Sequence, residues 1–102
     1  MIFAQADLTA ATNNSVFTSG DANGDLVTVM LTNRSGAAIN VTLYWVPNGV
    51  GAPAVKHAFE YALSLDANCA YERAGISMGN GDAIYANPSA PGVSITVQGL
   101  PI

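Results

Sequence analysis

Apolar and polar residues alternate with a period of two through most of the chain. Val27, Val29 and Leu31 form one apolar set, and Ile39, Val41, Leu43 and Trp45 form another. Such spacing places each set on one face of a β-strand. The runs Leu26–Thr32 and Ile39–Val46 are joined by Asn33-Arg34-Ser35-Gly36-Ala37-Ala38, which is rich in turn formers. The simplest expectation is that they pair as an antiparallel hairpin over Asp25–Pro47, with Leu43 and Trp45 on the floor of the core. The clearest alternation comes near the end: Val93, Ile95 and Val97 inward, Ser94, Thr96 and Gln98 outward.

Shorter segments fill the rest. Ser15–Thr18 and Ala83–Asn87 read as strands, with Ile84 and Tyr85 on opposite faces. Cys69–Ala74 reads as a strand or connector. Ser19–Asp25, Pro47–Pro53, Met78–Asp82 and Asn87–Gly92 carry the Gly, Pro, Asn and Asp clusters of loops and tight turns. Ala54–Asp66 is compatible with two periods. As a strand it sets Val55, His57, Phe59, Tyr61, Leu63 and Leu65 against Lys56, Ala58, Glu60, Ala62, Ser64 and Asp66. As a helix it puts Val55, Phe59, Ala62 and Leu63 on a stripe and pairs Lys56 with Glu60 one turn on. The clean polar/apolar split favours the strand. Residues 1–14 read as an N-terminal arm or edge strand holding Ile2, Phe3 and Leu8, and residues 15–102 as one domain. Seven or eight short strands with frequent punctuation predict an all-β fold, a single antiparallel β-sandwich of the immunoglobulin or jelly-roll kind.

Composition narrows the function more than the fold. The chain has 102 residues, enough for one unstapled core. Only 10% are charged, against roughly 25% in average soluble domains. A surface so low in charge suits a protein packed against neighbours. The net charge is −4, and Arg34, Lys56 and Arg73 are the only side-chain cations apart from His57. Without a basic stripe, nucleic acid and anionic membrane surfaces are not expected partners. Cys69 is the single cysteine, which excludes an intrachain disulfide and a thiolate zinc cage and fits a reducing compartment. The start Met1–Asp7 lacks the basic and apolar regions of a secretory signal.

No chemistry-bearing motif stands out. His57 is the only histidine, and neither it nor Cys69 lies in a nucleophile motif, so it is expected at a core edge or an interface. Asp21-Ala22-Asn23-Gly24-Asp25 has the alternating oxygens that begin a calcium loop. An EF-hand also needs Gly at position six and Glu at position twelve, where Leu26 and Thr32 stand. The stretch therefore reads as a solvated loop before a strand. Glu60, Asp66, Glu72 and Asp82 are scattered acids with nothing to bring two together over a sugar. No catalytic, metal or cofactor-binding residues are expected. Tyr44 and Tyr85 fall on the outward faces of their strands, where tyrosine suits an interface.

The order of segments resembles the small ~100-residue β-sandwich structural proteins of tailed bacteriophages, a group of head-decoration (cement) and small tail or fibre-associated proteins. The residues that carry it are Val16-Phe17-Thr18, Leu26–Asn33 with Arg34-Ser35-Gly36, Ala37–Pro47, Phe59–Leu65, Gly75–Ala86 with its central Gly81-Asp82, and the closing Gly92–Gly99. The segment Ser19–Gly24 replaces the group's usual Pro-Gly turn. The resemblance implies a non-enzymatic virion component, made in the bacterial host cytoplasm, with no catalytic residues to carry over. Head decoration in many copies is expected first, a tail or fibre-attachment protein second, and a carbohydrate-binding module as the reading from another class. The expected partners are the major capsid protein or other virion proteins, and further copies of the chain, with a trimer suggested by threefold positions on shells. Ile2, Phe3, Leu8, Tyr44 and Tyr85 are the expected contact residues.

Overall fold

The computed structural model describes all 102 residues, Met1–Ile102. Eight strands form: β1 (Ile2–Asp7), β2 (Asn14–Thr18), β3 (Asp25–Asn33), β4 (Ile39–Val46), β5 (Ala58–Leu65), β6 (Ala70–Met78), β7 (Ala83–Pro88) and β8 (Val93–Pro101). They build two four-stranded antiparallel sheets, ordered β1-β8-β3-β6 and β2-β7-β4-β5. The chain changes sheet at every connection except β4 to β5. This is the two-sheet jelly roll, the second of the two sandwich types expected from the sequence.

The alternation in the sequence is the alternation of burial. Val27, Val29 and Leu31 of β3 and Val93, Ile95 and Val97 of β8 face Ile39, Val41 and Leu43 of β4 and Ile84 and Ala86 of β7 across one core. Each pattern is read correctly from spacing because one face of each sheet is buried and the other is wet. Glycine permits two close approaches. At Gly99 in β8 a Cβ would strike the carbonyl of Leu26. Gly24 turns the chain into β3 with φ +85°, and a Cβ there would strike the carbonyl of Met78.

The expected β3–β4 hairpin does not form. β3 is bonded to β8 on one side and β6 on the other, and β4 to β7 and β5. The two runs face each other across the core. The cause lies in the joint. The Asn33 side chain is fully buried, and its Nδ2 donates to the carbonyls of Ala37 (2.9 Å), Leu65 (3.1 Å) and Asp66 (3.2 Å). Its Oδ1 accepts from Ser35 N (2.9 Å) and Ser35 Oγ (2.8 Å). The joint is thereby an arch that carries the chain from one sheet to the other.

The remaining corrections concern irregular strands. Ala54–Asp66 is a 3₁₀ turn, Val55–His57, followed by strand β5. Its expected inward face is interrupted: Ala62 sits at φ +50° where the register with β4 shifts, and Tyr61 turns out to solvent. Ala62 N is held by Thr42 Oγ1 at 3.0 Å. Strand β6 continues past Ala74 to Met78, through a register shift beside Gly75 at φ +78° that hides its period from the sequence. Trp45 keeps its place on the core side, opposite Ile84, but is only partly buried at the sandwich end.

Candidate functional site

Each lateral opening between the sheets is closed by side chains. Phe3 of β1 stacks on Phe17 of β2, with ring centroids 5.1 Å apart and planes 9° from parallel. On the other side, Glu60 of β5 accepts from Tyr71 Oη (2.6 Å) and Arg73 Nη1 (2.9 Å) of β6, and the Arg73 guanidinium lies 5.6 Å from the Phe59 ring centre. Partial burial, and then the hydrogen bond and negative charge of Glu60, raise the Tyr71 phenol above its ordinary value; Arg73 opposes this. These groups latch sheet to sheet, and their bonding capacity is used within the fold.

The scattered candidates for chemistry are similarly occupied. Asp82 Oδ2 accepts from Trp45 Nε1 (3.2 Å) and Gly79 N (2.9 Å), and its Oδ1 from Asn48 N (3.0 Å). It ties the Pro47–Pro53 loop to the Gly79–Asp82 turn. His57 Nδ1 accepts from Ala54 N (2.9 Å), closing the 3₁₀ turn. Cys69 is an exposed free thiol. No group of three or more His, Cys, Asp or Glu side chains converges on a metal-sized point. Tyr61 is the one strongly exposed aromatic side chain.

The five expected contact residues divide. Leu8 is 6% exposed and belongs to the core; its N–H donates to Val93 O at 2.9 Å. The arm is thus an edge strand whose end anchors the sandwich, and Leu8 is spent on the fold. Phe3 is half-buried in the stack on Phe17. Tyr44 and Tyr85 stand directly opposite each other on the outer face of the second sheet, both half-buried. Tyr85 Oη donates to Gly51 O at 3.2 Å and so pins the loop that follows β4. Ile2, exposed, faces outward opposite Gln98.

Ile2 has companions that spacing alone could have revealed. Leu26 and Leu100 are out of phase with the inward sets of β3 and β8, and they are 47% and 63% exposed. They are direct cross-strand partners on the outer face of the first sheet. Met1 O accepts from Gly99 N (2.9 Å), and Ile102 N donates to Gly24 O (2.9 Å), which brings exposed Met1 and Ile102 to the same end. Ile2, Leu26 and Leu100, with these two termini, make an apolar patch at one end of the molecule. Its neighbours on that face, Thr28, Gln98 and Ser77, are uncharged. No protein-family model, curated protein or solved structure gives a significant match to the chain.

Proposed function

We propose that the chain is a non-enzymatic structural protein of a tailed-bacteriophage virion, decorating the head shell in many copies and cementing it. The observation that carries this reading is the outward Leu26–Leu100 pair with Ile2 beside it. Burying a leucine stabilises by about 1.5–3 kcal/mol, so three such side chains at one end favour a partner over water. The low charge and the compact two-sheet frame, 41 × 27 × 18 Å, support a role as a packed building block. Jelly rolls also serve other functions, and the order of segments along the chain is what points to this use of the fold.

The test uses head shells and tails of a tailed phage, separated from lysates in which the chain is detected. The wild-type protein is expected to co-sediment with shells, and the double variant Leu26→Asp/Leu100→Asp to remain in the supernatant while keeping its melting temperature. Sedimentation velocity of the free protein reads self-association through the same patch. Binding to tails alone would move the proposal to the tail. A protein that stays monomeric and binds neither particle would overturn it.

A further inference from the structure

The loop before β3, expected to be solvated, delivers a carboxylate into the interior. Asp25 is 0% exposed. Ser19, itself buried, donates from Oγ to Asp25 Oδ2 at 2.7 Å. The other oxygen, Oδ1, is buried and meets no donor in the chain. The half-buried Asp21 brings its carboxyl within hydrogen-bond reach of Asp25. Two carboxylates are acceptors only and cannot satisfy each other, so something positive has to lie between them.

The chain offers no side-chain cation for that place. Arg34 pairs with Asp7 and Arg73 with Glu60, both at 2.9 Å, and Lys56 stands in the 3₁₀ turn before β5. A hard divalent cation neutralises both charges and fills the empty valence of Oδ1 at once. We propose that Asp21 and Asp25 form a calcium site, with Oδ1 of Asp25 as the buried ligand, the Asp21 carboxylate as the outer one, and carbonyl oxygens and water completing the shell.

The site is distinct from an EF-hand, because Leu26 and Thr32 occupy the positions of its glycine and bidentate glutamate. With two protein carboxylates it belongs among weak sites. The loop it closes is bound to the rest of the fold. Ser19 N donates to Asp82 O, Gly81 N to Ser19 O, and Ile102 N to Gly24 O. Calcium would therefore tie the β2–β3 loop, the β6–β7 turn and the C-terminus into one rigid end.

The experiment compares melting temperatures in EDTA and in calcium at about 10 mM, well above the ~10⁻³ M dissociation constants of weak extracellular sites. Magnesium at the same concentration is the control, and calorimetric titration with calcium chloride is the second readout. The wild-type protein is expected to melt about 5 °C higher in calcium than in EDTA, with a saturable isotherm. Asp21→Asn is expected to lose the calcium response. It should also melt no lower than wild type in EDTA, since its amide can donate to Asp25. Equal wild-type melting temperatures in calcium and EDTA would overturn the site, as would an equal calcium response in Asp21→Asn. A wild-type protein that ignores calcium but gains stability as pH falls toward 4 would assign the pair a shared proton instead.

Discussion

β3 carries a fully buried polar side chain at each end, and the two are handled in opposite ways. At the C-terminal end, Asn33 fills both its donor and acceptor sides with groups from two segments, Ser35–Ala37 and Leu65–Asp66. Around it the fold is knotted: Asn33 N donates to Cys69 O (2.9 Å), Arg34 N to Gly92 O (2.8 Å), and Asp7 accepts from both Arg34 and Ser94 at 2.9 Å. At the N-terminal end, Asp25 satisfies one oxygen and leaves the other empty, and the exposed Leu26–Leu100 pair begins one residue away. A buried polar group with every valence used within the chain serves the fold. One left with an empty valence calls for an explanation beyond the chain's own hydrogen bonds.

The comparison predicts unequal costs. Asn33→Ala should have the largest effect, about 3 kcal/mol, because it strands the buried carbonyl of Leu65, releases the part-buried one of Asp66 and dissolves the arch. Urea denaturation measures it; a loss below about 1 kcal/mol would mean that water replaces the amide and that the end is not closed. Leu8→Ala, at the same tied end, should cost about 2–3 kcal/mol. A variant that folds with wild-type stability would return the N-terminal segment to the status of a detachable arm.

Asp25→Asn reverses the usual penalty for changing a buried charged residue. In calcium-free buffer it removes the repulsion with Asp21 and supplies a donor while keeping an acceptor for Ser19. Stability is expected to rise, by about 1 kcal/mol. A loss comparable to that of Asn33→Ala would show that the two ends are equivalent after all.

The smallest effect belongs to the β5–β6 latch, which lies between the two cases: satisfied, but half in solvent. The Tyr71 phenol is held above its ordinary value of 10.0 by burial and by Glu60. In the unfolded chain it loses its proton first, so unfolding releases a proton in the window just above pH 10. Stability from this group is complete below that window and declines as pH rises through it. Tyr71→Phe should lower stability modestly at pH 8 and flatten the decline above pH 10. An unchanged alkaline slope would remove Tyr71 as the titrating group.

The sequence by itself determined most of the strands and, where the alternation is unbroken, which face turns inward. Val27, Val29 and Leu31, or Val93, Ile95 and Val97, declare a buried face through spacing, because a strand exposes alternate residues whatever it pairs with. The same spacing holds Leu26 and Leu100 out of phase with the inward sets, a signal legible in the sequence but not among its expected contacts, and turn composition marked the Ser19–Asp25 loop. Strand partners were decided only by the tertiary structure. Two consecutive strands can pair side by side or face each other across a core, and both arrangements present the same alternation. What separated them was the Asn33 amide, whose partners include carbonyls 32 and 33 residues away. Leu8, read as part of a weakly anchored arm, became core because β8 stood ready to bond it. The continuation of β6 past Ala74 was hidden by the bulge at Gly75, and the turn of Tyr61 to solvent by that at Ala62. The burial of Asp25 likewise came from its pairing between Met78 and Pro101 on two other strands. Local periodicity reports the environment of one strand's two faces; pairing and the burial of polar ends depend on hydrogen bonds between residues far apart in the chain.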